Sequence, residues 1–197
     1  MGTGNENLWR GTSSDERADE RRDRLLAACR EIVGREGGAG LSVRAVCRVA
    51  GVGPRYFYAE FSDVDELLVA TYERAVGELA RAVGTAAEGA GEGKAVLQGA
   101  FEAAVTHLEQ HPDAGRLVFG EALANAVLRT RAVATLPAFL AGAGRLLGAP
   151  AGGALTSTLL SGALAAVFIE WLSGTAQFGR QELVRRCTDF TWQVLTG

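Results

Sequence analysis

The stretch from Val49 to Leu68, VAGVGPRYFYAEFSDVDELL, sets Tyr56, Phe57, Tyr58 and Phe61 close together, just after a glycine and a proline. Aromatics are only 7% of this 197-residue chain, so the concentration asks for a reason. Gly51 is a natural left-handed turn after one helix, and Pro54 suits the first turn of the next, which runs to about Glu60. Upstream, Ser42 is a natural N-cap for a short helix reaching about Val49. Two short helices joined by a tight glycine turn form a helix-turn-helix. Their close crossing needs a small side chain four residues before the glycine, and Cys47 is there. At about 100° per residue, Phe57 and Phe61 share one face of the second helix, which turns inward with Val46, Ala50 and Val52. Arg55, Tyr56 and Ala59 then point outward, and Tyr58 lies to the side. An arginine and two phenolic hydroxyls near a helix N-terminus suit a DNA major groove. Arginine reads guanine there, while hydroxyls and backbone N–H groups hold phosphates.

Outward from this stretch, the pattern stays helical. "SDVDE" offers two overlapping caps, Ser62 with Asp65 or Asp63 with Glu66, for a long helix from about Val64 to Glu88. Before the helix-turn-helix, Leu25, Leu26, Cys29, Ile32 and Val33 recur at helical spacing from Ser14 onward, and "GREGGAG" ends that helix. After "GAGEG" at 89–93, further helices are expected at about 94–110, 113–120, 121–147, 153–173 and 181–195. Their breaks are His111-Pro112, Gly120, Gly148 to Pro150, and Gly174 to Gly179. Leu136-Pro137 should kink or split the longest of them. No alternating strand pattern and no internal repeat appears. The expected fold is all-α: a loose N-terminal extension over 1–14, a three-helix DNA-binding unit over 15–72, and a helical body over 73–197.

Composition bounds the function. Hydrophobic residues reach 48% and charged residues 22%, enough apolar surface for a real core. The net charge is −3, and residues 1–72 hold 10 Arg against 12 Asp and Glu, so no strong electrostatic attraction to nucleic acid is expected. Of the 20 basic residues only Lys94 is a lysine, which with many Ala and Gly suggests a GC-rich, actinobacterial-like genome. The first residues lack the apolar core of a signal peptide, and three scattered cysteines suit a reducing cytosol; the expected location is cytoplasmic. Residues 154–172 are apolar enough to resemble a membrane span, but Thr156, Ser157, Thr158, Ser161 and Glu170 favour a helix buried in a globular protein. His107 and His111 have metal-ligand spacing but no further ligand beside them, so no metal and no cofactor are expected. No activated Ser or Cys motif, phosphate loop or carboxylate-rich metal helix points to an enzyme.

The segment Leu41 to Leu68, with "RLLAACREIVGREG" before it, resembles the DNA-binding signature of the tetracycline-repressor (TetR) family. Gly51, the Phe57-Tyr58 pair, Phe61 and the acid-rich start of a long helix carry the resemblance. It covers some 45 residues. It implies a DNA-binding regulator acting as a homodimer on a palindromic operator, in most cases a repressor answering to a small molecule. Residue by residue, it implies backbone contacts from Ser42 and Arg44, base reading by Pro54, Arg55 and Tyr56, and a phosphate bond from Tyr58. Gly53 stands where the family often has Ser or Thr, and Val64 where many members carry Lys, so only the Val64 backbone N–H remains there. Glu60 replaces a common His and would repel DNA if it faced it. Arg10, Arg17, Arg21 and Arg22 either add phosphate contacts or form a solvated helix face.

In the body, the same resemblance implies a dimer and an effector site. The broad apolar stripes of the last two helices suit a four-helix interface through Leu155, Leu159, Leu160, Ala163, Val167, Leu183, Cys187, Phe190 and Val194. Candidate walls for an apolar or aromatic effector are Phe101, Val105, Phe119, Leu123, Val127, Phe139, Phe168 and Trp171, with His107, Glu121, Asn125, Thr130 and Glu170 as polar handles. Two other readings compete: a constitutive architectural DNA-binding protein without effector, and a helical protein-interaction module.

Overall fold

The computed structural model describes residues 14–135 and 153–196, and among them there are helices and turns but no strand. Helix α1 (Ser14–Glu36) buries Leu25, Leu26, Cys29, Ile32 and Val33 and ends at Gly37, whose φ is 72°. Helix α2 (Val43–Ala50) is capped by the Ser42 hydroxyl, which accepts from the Ala45 N–H at 3.2 Å. Gly51 closes it in the left-handed region, at φ 62°, where a side chain would be strained. The N–H groups of Gly51 and Val52 both return to the Cys47 carbonyl. Helix α3 (Pro54–Glu60) follows with proline in its first turn.

Of the two caps offered by "SDVDE", the second forms. The Asp63 carboxylate accepts from the Glu66 N–H at 2.8 Å and starts α4 (Val64–Gly89). Glu66 reaches back to the N–H and hydroxyl of Ser62, at 2.7 and 2.8 Å. These bonds hold the Glu66 pKa below its ordinary value. Helix α4 runs unbroken past residue 72, packing on α1 of the N-terminal unit and on the helices of the body.

Helix α5 (Lys94–Gln110) packs along α4, and α10 (Arg180–Thr196) packs on α5. The expected break at Gly120 is absent. Helix α6 (Pro112–Gly115) runs directly into a π-helical segment (Arg116–Glu121) and then α7 (Ala122–Ala124). The chain breaks instead at Asn125, whose side-chain oxygen accepts from the Val127 and Leu128 N–H groups at 2.8 and 3.4 Å. A lone glycine costs a helix only about 1 kcal/mol, whereas an asparagine cap actively starts the next one. That next helix, α8, covers residues 126–135. The expected breaks at Leu136-Pro137 and at Gly148 to Pro150 lie outside the described residues. Helix α9 (Ala154–Leu172) passes over the π-helical segment, and a Cβ on Gly115 would stand 2.9 Å from the Leu172 side chain.

The two units are tied by charges across α1, α4 and α6. The Arg30 guanidinium bonds the Asp113 carboxylate and, at 2.7 Å, Glu78. Arg74 pairs with Asp23 at 2.6 Å, and Arg116 donates to the Gly34 carbonyl. Burial disfavours the charge on Asp113, but the Arg30 hydrogen bonds and positive charge outweigh it and hold the pKa below 3.8.

Candidate nucleic-acid interface and body cavity

Around the glycine turn the core is full. Phe57 and Phe61 are completely or nearly completely buried, with ring centroids 6.1 Å apart, and Val46, Cys47, Ala50 and Val52 close over them. This anchoring turns the other face of α3 to solvent. Pro54, Arg55, Tyr56 and Tyr58 are exposed there, with Gly53 just before them. Tyr58 stands out further than Tyr56, at 61% against 43% exposure. The reason lies in α1: the Arg21 guanidinium sits over the Tyr56 ring, 5.0 Å from its centroid, and Arg55 approaches the same ring at 5.5 Å. Two cations thus lie against the Tyr56 ring in the first turn of α3. Ser42 and Arg44 are exposed at the start of α2. The Ser42 oxygen accepts the capping bond, which leaves its own O–H able to donate.

Two acidic or apolar departures from the expected pattern are handled locally. Glu60 pairs with Arg22 at 3.7 Å, and its carbonyl accepts from the same guanidinium at 3.5 Å, so its charge is neutralised. Arg22 also lies over the Phe61 ring at 4.5 Å, which makes it a tie between α1 and α3. The Val64 side chain is half-buried against the core, leaving its backbone as the only part to meet a phosphate. Asp63, Asp65 and Glu66, its near neighbours in sequence, are exposed and acidic. Arg17 is exposed, and Arg10 lies outside the described residues.

The body differs: a cavity of about 270 Å³, partly open to solvent where Leu123 and Val133 stand exposed, lies between α4, α5, α8, α9, α10 and the π-helical segment. Phe101, Phe119, Leu123 and Phe168 line it, as do Tyr72, Val76, Leu79 and Val83 of α4. The rings of Phe119 and Phe168 lie parallel, 5.4 Å apart. Val105 is wholly buried but not in the wall, because it faces the core on the other side of α5. Val127 is exposed, and Trp171 sits behind the wall, edge-on to Phe168. Phe139 lies outside the described residues.

None of the expected polar handles lines the cavity. Asn125 caps α8, Thr130 bonds the Ala126 carbonyl, Glu170 is exposed, and Glu121 lies against Gly37 and Gly38. His107 packs against His111, with ring centroids 4.7 Å apart; burial and that neighbour push its pKa down. The polar atoms of the wall are instead hydroxyls, from Tyr72, Thr135, Thr158, Ser161 and Thr191. Burial raises the Tyr72 pKa, so the phenol is neutral at ordinary pH. The signal for Thr191 in the sequence is a hydroxyl within the apolar stripe of the last helix. Among the described residues, no group of three or more His, Cys, Asp or Glu side chains converges as a metal site would require.

The last two helices sort differently from the expected interface. Leu160, Leu183 and Cys187 belong to this chain's own core. Ala163, Val167 and Val194 are half-buried, and Leu155, Leu159 and Phe190 are exposed, at 73%, 65% and 44%. Helix α9 is long and apolar enough to cross a membrane by length and composition, yet only 22% of its apolar window is buried within the chain.

No family model matches the sequence. Solved structures do. A TetR family transcription regulator from Marinobacter aquaeolei VT8 superposes with a TM-score of 0.68 at 18% identity, over 92% of this chain and 98% of that one. The fatty acid degradation regulator FadR from Bacillus halodurans gives 0.72 at 16% identity, over 87% and 94%. The multidrug binding protein EbrR, solved with imidazole, gives 0.68 at 25% identity, over 95% and 97%. The chain has the TetR-regulator fold. In this chain α1 to α3 form a three-helix unit, and the cavity lies in the helical body that α4 joins to it.

Proposed function

We propose that the chain is a DNA-binding transcriptional regulator, a homodimeric repressor on a palindromic operator, whose body binds a small molecule. The observation that carries this is the face of α3: Arg55, Tyr56 and Tyr58 project from a helix whose opposite side is locked by Phe57 and Phe61. Arg55 is the candidate base reader, Tyr56 supports it, and Tyr58, Ser42 and Arg44 are candidate phosphate contacts. The open apolar face of Leu155, Leu159 and Phe190 supports a second copy of the chain as its cover. The packing of Leu160, Ser161, Leu164 and Phe168 into the core argues for that cover over a lipid one.

Helix α4 supplies a route from cavity to DNA. Its first turn is capped beside α3, Leu67 and Leu68 lie under the reading unit, and Tyr72 to Val83 wall the cavity. A molecule that prefers one position of α4 shifts the population of reading-head separations, which must match half-sites about one DNA turn apart. The test is selection of bound fragments from the source genome by the purified protein at near-physiological salt. Recovery of one palindromic site supports a specific dimeric regulator. Recovery of random fragments with no effector response supports a constitutive architectural protein, and recovery of none removes the DNA-binding reading.

A further inference from the structure

The cavity wall says what kind of molecule fits. Among the described residues that line it, none carries a charge at neutral pH. An ion seated against this wall would give up part of its water and find no counter-charge among the described residues, which is unfavourable. Three of the wall's four Ser and Thr hydroxyls are satisfied within their own helices. Thr135 donates to the Arg131 carbonyl at 2.8 Å, Thr158 to Ala154 at 2.9 Å, and Ser161 to Ser157 at 2.6 Å. Thr188, one turn before Thr191 on α10, does the same to Val184 at 2.8 Å. Thr191 does not. It is 2% exposed, it lines the cavity, and its Oγ1 has no hydrogen-bond partner. A buried hydroxyl left without a partner is costly, so a group that completes it gains selectively.

Size narrows the class further. A cavity of about 150 Å³ lined by apolar side chains accepts benzene; this one is about 270 Å³, room for a fused pair of rings. The stacked rings of Phe119 and Phe168 place aromatic surface in its wall. We propose that the cavity takes an uncharged, mostly apolar molecule about the size of a two-ring aromatic, whose single polar group bonds the Thr191 hydroxyl. This deepens the reading of the body as an effector site and rests on it.

The test uses the full chain without DNA, by calorimetry and thermal shift, with four probes: 2-naphthol, naphthalene, 2-naphthoate and 2-naphthylmethylammonium. The expected result is that 2-naphthol binds about tenfold more tightly than naphthalene, in line with one hydrogen bond, and that neither ion binds measurably. Thr191→Val should bring 2-naphthol down to the level of naphthalene and leave naphthalene unchanged. Thr191→Ser, which keeps the hydroxyl, should retain the preference. Binding of either ion as tight as that of 2-naphthol overturns the proposal. So does an undiminished naphthol preference in Thr191→Val, or failure of both neutral probes to bind. Because no DNA enters the assay, naphthol binding through Thr191 in a protein that recovers no genomic fragment would preserve this inference and sink the regulator reading.

Discussion

The reading unit and the body use the same apolar side chains in opposite ways. In the reading unit Phe57 and Phe61 fill the space between α1, α2 and α3. In the body Phe119 and Phe168 stack just as closely, yet they wall a void of about 270 Å³. A dense core fixes one geometry, which the proposed base-reading role of α3 needs, because a misplaced side chain loses its bond to a base edge. A cavity leaves a core short of contacts and open to a guest. Stability concentrated at one end and spare volume at the other, joined by α4, is the arrangement a ligand-switched reader requires.

Mutations should expose this contrast. The largest effect is expected for Phe57→Ala, a loss of about 3–5 kcal/mol in urea denaturation, because nothing around Phe57 can close the gap. Next comes the junction. Arg30→Met leaves Glu78 and Asp113 without their shared cation and should cost about 2 kcal/mol, read by the same denaturation and accompanied by faster amide exchange in α1. A smaller pair of changes should differ in sign. Ala28→Leu overfills the reading unit and should destabilise by about 1–3 kcal/mol, whereas Ala104→Leu, which points into the cavity, should stabilise by about 1 kcal/mol and abolish binding of 2-naphthol. Equal losses from both would mean that the cavity is not spare volume.

The smallest effect is a pH dependence at the junction. Asp113 has a lowered pKa in the folded chain, so the folded state holds that proton less readily than the unfolded one. Its contribution is complete above the ordinary carboxylate pKa and is lost as pH falls from that range through the lowered folded value. Wild type should therefore lose more thermal stability over that window than Asp113→Asn. An identical decline in both would remove Asp113 from the account.

The reading unit was largely legible in the sequence because its signals are local. Ser42, Gly51, Pro54 and the Asp63-Glu66 cap each act within a few residues, and the two phenylalanines sit one helical turn apart. What escaped there was the cross-chain part: Arg21 over Tyr56 and Arg22 on Glu60 join residues more than thirty positions apart. The body was legible only as helices. Periodicity marks an apolar stripe without saying whether it faces a core, a cavity or a partner, so Val105, Leu160 and Cys187 read like their neighbours and pack elsewhere. The break at Asn125 was missed because glycine at 120 is the louder letter, although the π-helical segment carries the chain through it. Thr191 drew no notice as a handle because its isolation depends on what surrounds it in space.

The central claim is that the exposed face of α3 reads DNA. The direct measurement is fluorescence anisotropy on the palindrome recovered from the genome, with wild type, Arg55→Ala and a scrambled duplex at near-physiological salt. The account predicts that Arg55→Ala loses at least about tenfold in affinity for the palindrome, one lost bidentate base contact, while binding the scrambled duplex nearly as wild type does. Equal affinity of wild type and Arg55→Ala for the palindrome would contradict it.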